Sequence, residues 1–234
     1  MFRFIAHACC KRLRHICFGL FTLLSLRLQA EPVSYFYSEL PPYEYSNAAG
    51  GAAGIGIEKI RKILTDAGFQ PEFRFYSVSR GLNALQHDID FSAVVAPTTE
   101  QRQQLKISAA PVYLAEIGVV RLRNTKPLNT LAQLTQYPYV ALSDTRFAYL
   151  QQRPALAGIN ANRYDIGNQQ DAYRLLISGR YKYYLCYHAS NLPLSNPMLV
   201  FDSLEQIPVY LVLSKQNPDV DRLMQRVDEV MAKP

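Results

Sequence analysis

Hydrophobic and polar residues follow a helix-then-strand order near the middle of the chain, between residues 79 and 113. Leu82 and Leu85 lie at helical spacing among polar neighbours and predict a short amphipathic helix over residues 79–86. Residues 90–95 form an almost unbroken apolar run, which is typical of a strand in a sheet buried on both faces. The pattern therefore predicts one helix–strand unit of an α/β sheet.

Polar residues follow this predicted strand directly. Thr98 and Gln101 have the spacing of a capping box, so a short helix is predicted to begin there. In open α/β sheets, ligands lie beyond the carboxyl ends of the strands. Pro97, Thr98, Thr99 and Arg102 are therefore expected where a small molecule is held.

The segment before this stretch has the same alternation of elements. Residues 33–37 predict a first strand, and residues 57–67 predict a helix with one apolar face. Pro41 and Pro42 lie in the loop between this strand and this helix and exclude regular structure there. Residues 72–76 alternate as a second strand. The resulting β-α-β-α-β order is typical of a largely parallel sheet.

The second half of the chain predicts further strands and helices separated by an irregular stretch at residues 147–167. A long apolar strand follows Tyr113. Asn168 caps a helix over residues 168–178, with Asp171 at its third position. The remaining predicted elements are a helix at 127–136, strands at 140–142, 181–187, 199–202 and 208–214, and a last helix beginning at Pro218.

The first thirty residues differ in character from the rest. They contain five basic residues and no acid, and the apolar run 16–26 follows most of that positive charge. Ala30 ends the segment on a small residue, so residues 1–30 predict a cleavable signal peptide. An uncleaved N-terminal anchor is the alternative, although the run is shorter than the about 20 apolar residues that a span needs.

Removing this leader changes the meaning of the charge and of the cysteines. The whole chain has a formal net charge of +6, but residues 31–234 hold 20 basic and 19 acidic residues, a net charge of +1. The basic charge therefore gives no support for a nucleic-acid partner. Cys186 is the single cysteine of the mature chain, which predicts a buried thiol and excludes an internal disulfide.

Four short motifs, in order, resemble a known family. They are Ala84-Leu85, Asp88-Ile89-Asp90, the T-x-x-R turn from Thr99 to Arg102, and Pro111-Val112-Tyr113. Together they resemble the bacterial extracellular solute-binding proteins of family 3. Those are α/β proteins with the two-lobed, type II periplasmic binding protein fold, and they deliver solutes to ABC transporters. The resemblance covers residues 33–232.

The resemblance implies lobe boundaries and a ligand cleft between the lobes. Lobe 1 is predicted to comprise residues 31–122 and 209–234, and lobe 2 residues 123–208, with two strands crossing between them. In the family, the arginine of T-x-x-R binds the ligand's carboxylate. The implied ligand contacts in this sequence are Tyr37, Tyr43, Arg80, Thr98, Thr99, Arg102, Thr145, Arg146 and Tyr187.

Two positions depart from the family's amino-acid binders. Those proteins place Ser or Thr two residues before the T-x-x-R threonine, where this chain has Pro97. They also end a lobe 2 strand with an Asp that contacts the ammonium, where this chain has Tyr187. A buried ammonium without a carboxylate is costly, so the sequence predicts a ligand other than an ordinary α-amino acid bound in the family's manner.

Motifs for catalysis or cofactors are absent from the sequence. The glycines at residues 50–56 lack G-x-G-x-x-G spacing, and the mature chain has only His87 and His188, with no zinc or nucleophile motif. The prediction is therefore a monomeric periplasmic protein without cofactor or enzymatic activity, which captures a small polar, anionic molecule for an ABC importer. A ligand-sensing module is the alternative, and a cleft enzyme using Glu39, Glu44 or Asp144 is a third hypothesis.

Overall fold

The computed structural model describes residues 30–143, 147–188 and 194–233. The predicted leader, Thr145 and Arg146 therefore lie outside the described residues. Among the helices that the structure does describe, none is both long enough and apolar enough to cross a membrane.

Eleven strands and six α-helices make up the described chain. The strands are β1 Glu31–Tyr37, β2 Tyr45–Ser46, β3 Ala52–Ala53, β4 Phe69–Phe75, β5 Ser92–Val95, β6 Leu105–Ile107, β7 Tyr113–Leu122, β8 Tyr139–Leu142, β9 Arg163–Ile166, β10 Tyr183–Tyr187 and β11 Leu199–Ser214. The helices are α1 Ile55–Asp66, α2 Val78–Ala84, α3 Thr99–Gln104, α4 Ala148–Gln151, α5 Gln169–Ile177 and α6 Val220–Met231. Short 3₁₀ turns occupy Leu131–Gln136, Pro154–Leu156 and Ile159–Asn162.

The first lobe is formed by β1–β6, α1–α3 and α6. β1 pairs in parallel with β4, and Tyr35 of β1 bridges in parallel to Phe91, just before β5. β5 and β6 both pair with the end of β11. α1 buries Ile57, Ile60 and Leu64 in the core, because apolar residues three and four apart share one helix face.

The second lobe is formed by β8–β10, α4, α5 and the 3₁₀ turns. β10 pairs in parallel with β8 and antiparallel with β7, and β9 lies outside β8. β7 and β11 pair with each other from Leu122↔Leu199 to Tyr113↔Val209, so both lobes share this two-stranded ribbon. The two-lobed α/β fold that the sequence predicted is confirmed.

Close packing and one ion pair hold the two strands of the ribbon, β7 and β11, against each other. A Cβ on Gly118 of β7 would lie 2.0 Å from the Asp202 carbonyl oxygen, so only glycine fits there. Arg121 binds the Asp202 carboxylate through two nitrogens, with Nε–Oδ2 at 2.6 Å and Nη2–Oδ1 at 2.9 Å. Both side chains are largely buried, at 11% and 16% exposure. The Gly118 contact and this ion pair therefore hold β7 and β11 together.

Three predicted elements differ in the structure. The strands predicted at 199–202 and 208–214 are one strand, because a bulge between Ser203 and Glu205 absorbs the polar residues without ending the pairing. The helix predicted at 127–136 is a 3₁₀ turn of six residues. The last helix begins at Val220 and not at Pro218.

Candidate functional site

A cleft of 990 Å³ lies between the two lobes. The first lobe lines it with the end of β4 and the segments that follow β1 and β4, and the second lobe chiefly with β10 and with the segment at the end of β8. The contributing stretches are Ser38–Pro41, Phe75–Ser79, Leu142–Ser143 and Tyr184–Tyr187. Because these strand ends meet at the cleft, its position is the one where open α/β sheets bind ligands.

The walls of the cleft are aromatic and polar, with little charge. Among the described lining residues, only Glu39, Arg163 and Asp165 carry a formal charge. Arg163 and Asp165 pair with each other, with Nε–Oδ1 at 2.6 Å. Phe75 projects from the end of β4 with 52% of its surface exposed, so the open cleft presents an apolar surface that a ligand can cover.

A smaller cavity of 80 Å³ adjoins the cleft and shares Ser38, Leu40 and Val78 with it. Its walls come from the carboxyl ends of β1 and β5, from α2, and from the beginning of α3. α4 of the second lobe adds Tyr149. This inner cavity therefore also lies between the lobes.

Tyr149 is buried, with 7% of its surface exposed. Its hydroxyl makes no hydrogen bond to any group in the described parts of the chain. Burial raises the pKa of Tyr149, and the neighbouring Tyr187 side chain partly offsets that rise without reaching hydrogen-bonding geometry. Buried hydroxyls usually have partners, and a water or another molecule in the inner cavity would supply one.

Glu44 is a buried carboxylate in the wall of the same cavity. Its Oε1 accepts hydrogen bonds from the hydroxyls of Tyr35, at 3.1 Å, and Tyr113, at 3.0 Å. Burial first, and then the charge of Glu44, raises the pKa values of both tyrosines well above their usual range. Both phenols therefore stay protonated and orient the carboxylate.

Tyr43 connects the loop after β1 to the ribbon. Its hydroxyl donates to the His188 carbonyl at 3.1 Å and accepts from the Glu116 amide at 2.7 Å, and its ring stacks on Tyr113 at 5.2 Å. Burial raises the pKa of Tyr43. These contacts pack Tyr43 against the ribbon, and it lines neither the cleft nor the inner cavity, so its implied contact with a ligand stays a prediction.

The turn after β5 has the predicted capping box. Thr98 Oγ1 accepts from the Gln101 amide at 3.2 Å, and Gln101 Oε1 accepts from the Thr98 amide at 2.9 Å. Ala96, just before it, has φ of 38°, a left-handed conformation that is strained for a residue with a Cβ. Thr98 and Gln101 line the inner cavity, so the capping box holds two residues of the cavity wall in position.

Arg102 lies on the exposed side of α3. Its Nε donates to the Pro97 carbonyl at 3.2 Å, and its side chain lines neither the cleft nor the inner cavity. Arg80 lies over the Tyr76 ring, 5.3 Å from its centroid. The proposed roles of both arginines in binding stay predictions.

The predicted contacts are thus only partly brought together. Tyr37 and Thr98 line the inner cavity, and Tyr187 lines the cleft, where it stacks on Phe147 with the ring centroids 5.0 Å apart. The Thr99 amide donates to Gln152 Oε1 across the lobes at 3.4 Å. Sequence reasoning missed Tyr149, because the stretch 147–167 carries no periodic pattern that would place it.

Side chains able to bind a metal ion, and the one cysteine after the predicted leader, bear on the chemistry of the site. Among the residues that the structure describes, no three His, Cys, Asp or Glu side chains are grouped to hold a metal ion. Cys186 is buried, as predicted, and burial raises the pKa of its thiol.

Comparisons with known proteins agree with this geometry. The model of the bacterial extracellular solute-binding proteins, family 3, matches residues 35–233. A histidine kinase sensor domain with similarity to periplasmic binding proteins has a TM-score of 0.68 at 20% identity, covering 86% of this chain and 89% of that one. The arginine-bound form of truncated ArgBP from T. maritima has a TM-score of 0.64 at 16% identity, covering 86% and 95%.

A third solved structure has the same fold. It is the probable amino-acid ABC transporter extracellular-binding protein ytmK from Bacillus subtilis, with a TM-score of 0.67 at 14% identity, covering 87% of this chain and 92% of that one. Since the family model spans nearly all of the described residues, the chain belongs to the bacterial extracellular solute-binding proteins of family 3.

Proposed function

We propose that the chain is a monomeric, periplasmic solute-binding protein that captures a small polar, anionic molecule for an ABC importer of the inner membrane. The 990 Å³ cleft between the lobes, in a member of this family, is the observation that supports the proposal. Residues 1–30 act as the cleavable leader, and the lobes keep the predicted boundaries, 31–122 with 209–234 and 123–208. The protein binds its solute without turnover, cofactor or nucleic acid.

A screen of solutes tests this proposal. The purified mature protein is heated with amines, organic acids, amino acids and small peptides. A solute that binds the native state raises the free energy of unfolding by about 2.7 kcal/mol at 100 times its Kd. A clear rise of the melting temperature with at least one solute supports capture, and a flat response across the library contradicts it.

Arg102 is the proposed anchor of the anionic group. A guanidinium is a planar fork that pairs with both oxygens of a carboxylate. In the structure, Arg102 makes a single side-chain hydrogen bond, to the Pro97 carbonyl. A rotation of the side chain towards the cleft would replace that hydrogen bond with hydrogen bonds to the ligand. Tyr37, Tyr43, Arg80, Thr98, Thr99, Thr145, Arg146 and Tyr187 complete the proposed contacts.

Two substitutions test the anchor with the solute that the screen identifies. Arg102→Ala should weaken binding by about 2–5 kcal/mol, as expected for truncation of a charge-assisted pair. Arg102→Lys should be intermediate. Arg174→Ala, on the exposed side of α5, is the matched control and should bind normally. Unchanged affinity in a folded Arg102→Ala protein would rule out the anchor.

The solute is proposed to differ from an ordinary α-amino acid bound in the family's manner, because Pro97 and Tyr187 replace the expected hydroxyl and carboxylate. Calorimetric titration with the twenty standard amino acids checks this. Submicromolar binding of any of them would overturn it.

Ligand sensing is the second candidate function. The likeness to a histidine kinase sensor domain favours it, because a change that the solute causes in the cleft could be transmitted to a partner. Uptake of the labelled solute in cells lacking this protein separates the two functions. Lost uptake supports import, whereas normal uptake with an altered response to the solute supports sensing.

A further inference from the structure

Arg163, at the beginning of β9, places a guanidinium in the wall of the cleft. Its Nε donates to Asp165 Oδ1 at 2.6 Å, and its Nη2 donates to the Leu142 carbonyl at 2.8 Å. The guanidinium carbon lies 5.9 Å from the centroid of the Phe147 ring. Leu142, Phe147 and Asp165 also line the cleft, so these three contacts hold the guanidinium at that wall.

Most of the hydrogen-bonding capacity of this guanidinium is unused. An arginine side chain has five N–H donors, and Arg163 uses two of them within the described parts of the chain. The unused donors include both N–H groups of Nη1. Only 12% of the side chain is exposed, and buried polar groups usually have partners. A water or a solute in the cleft would therefore supply the partners of Nη1.

Arg121 of the ribbon shows how an equally buried arginine is bound when its role is structural. Its side chain is 11% exposed. Its Nε and Nη2 bind the Asp202 carboxylate, and its Nη1 donates to three backbone carbonyls. Arg121 lines neither the cleft nor the inner cavity. The two arginines are buried alike, so the unused donors of Arg163 follow from its place in the cleft and not from exposure.

The acidic residues of the cleft leave room for an anion beside Arg163. Asp165 is 55% exposed and receives its hydrogen bond from the Nε side of the guanidinium, so solvent screens its charge. Glu39 belongs to the opposite wall, where it accepts from the Ser46 amide at 3.1 Å. A guanidinium that one carboxylate orients can still pair with a second anion through its terminal nitrogens.

We propose that Arg163 binds an anionic group of the solute from the second lobe, through Nη1 and the remaining donor of Nη2. Asp165 and the Leu142 carbonyl hold the guanidinium in position. This assignment rests on the proposed capture of an anionic solute. Together with the anionic group proposed at Arg102 of the first lobe, it makes the solute a dianion of the dicarboxylate kind, with one anionic group towards each lobe.

Simple dicarboxylates test the assignment at pH 7 by calorimetry and melting. Disodium succinate, glutarate and adipate are compared with sodium butyrate and with neutral butyramide, all at equal ionic strength. At least one dicarboxylate should bind about tenfold or more tightly than butyrate, because it adds a second charge-assisted contact, and butyramide should bind most weakly. Equal affinity of butyrate and butyramide, or no preference for any of the dicarboxylates, overturns the proposal.

Substitution of the guanidinium separates a binding role from a structural one. Arg163→Gln should weaken binding of the preferred dicarboxylate about ten- to a hundredfold and reduce its preference over butyrate towards one. Arg163→Lys keeps the charge without the fork and should be intermediate. Arg174→Gln, in the same lobe but with a side chain that is 77% exposed, is the matched control and should change neither value. A purely structural role would lower the melting temperature and leave the preference intact.

A folded Arg163→Gln protein that keeps the full preference would contradict the assignment. If neither Arg163 variant folds, a crystal structure of the unsubstituted protein with the preferred dicarboxylate decides. A carboxylate oxygen within about 3.2 Å of Arg163 Nη1 is expected, and a carboxylate bound elsewhere overturns the proposal. Failure of this site is distinguishable from failure of solute capture: if other solutes of the library stabilise the protein while no dicarboxylate does, capture holds and the Arg163 assignment fails.

Discussion

The first lobe lines the cleft and its inner cavity with a wall whose polar groups include several that already have partners, whereas the wall from the second lobe contains one buried hydroxyl without a partner among the described residues. Thr98 and Gln101 satisfy each other in a capping box, and the Ser92 hydroxyl donates to the Phe36 carbonyl at 3.2 Å. Across the cleft, Phe147 stacks on Tyr187, and the Tyr149 hydroxyl has no partner among the described residues.

The difference between the walls follows from their local structure. The first wall is built on the ends of β1 and β5, so regular strands and one capped helix fix its polar groups. The second wall adds to its strands α4, which has four residues, and the 3₁₀ turn Ile159–Asn162, which contributes Asn160. Short elements of this kind satisfy few polar groups themselves. The capped turn of the first wall therefore has its hydrogen bonds in place without a solute, whereas the Tyr149 hydroxyl of the second wall has none among the described residues.

The largest expected loss of stability comes from removing the Arg121–Asp202 ion pair of the ribbon, which connects the two walls. Asp202→Ala leaves Arg121 largely buried without its carboxylate, and we expect a loss of about 3 kcal/mol in the free energy of unfolding. Denaturation in urea measures it. Asp171→Ala removes an ion pair whose arginine is 77% exposed and should cost at most about 1 kcal/mol. Equal effects would show that the ribbon pair has no special role.

A smaller loss of stability is expected from removing the hydrogen bonds by which Tyr43 connects the first wall to the ribbon. Tyr43→Phe removes the hydrogen bonds to His188 and Glu116 and leaves a buried amide without its partner. About 2 kcal/mol of stability should be lost, as measured by the same denaturation. Tyr164→Phe, at an exposed tyrosine, should change stability by less than about 0.5 kcal/mol. A similarly small change in stability for Tyr43→Phe would show that these two hydrogen bonds do not stabilise the protein.

The capping box tests whether the first wall is formed before binding. Thr98→Ala should lower the free energy of unfolding by about 1 kcal/mol, the usual effect of losing an N-cap, and should also weaken solute binding. Thr98→Ser keeps the accepting oxygen and should retain both properties. If Thr98→Ala loses stability but binds the solute normally, the cap does not shape the site.

The smallest effect lies far from both walls, at Glu31. Hydrogen bonds from Arg222, and then from Arg226, lower the pKa of Glu31 from its ordinary value of 4.5. A lowered pKa in the folded state stabilises the protein above pH 4.5, and this contribution is lost as the pH falls through the folded-state value.

Glu31→Gln should therefore reduce stability at pH 7 by at most about 1 kcal/mol, because solvent screens this partly exposed group. The difference from the unsubstituted protein should shrink at pH 3. Denaturation at the two pH values is the check, and a difference that grows in acid would reverse the assigned sign.

The sequence predicted the first lobe better than the second. One-faced apolar spacing predicted α1, and the Thr98–Gln101 spacing predicted the cap of α3, because both signals are local. β11 was divided into two strands because Ser203, Glu205 and Gln206 have the composition of a loop. In the structure these residues stay paired with β7, and that pairing overrides local propensity.

The inner cavity shows why a site is harder to predict than a fold. Glu44 meets Tyr113 across 69 positions of the chain, and no local pattern indicates such a contact. Tyr149 lies in the irregular stretch of the second lobe, where the spacing of apolar residues does not predict which side chains face the core or the site. Arg102 could be singled out from a motif, yet a motif does not specify the direction of a flexible side chain.

Hydrogen–deuterium exchange, with and without the stabilising solute from the screen, tests most directly whether the solute binds between the two walls. The account predicts slower exchange in both α3, at Thr99–Gln104, and α4, at Ala148–Gln151, and unchanged exchange in α6, at Val220–Met231. Protection confined to one lobe, or centred on α6, would contradict binding in the cleft.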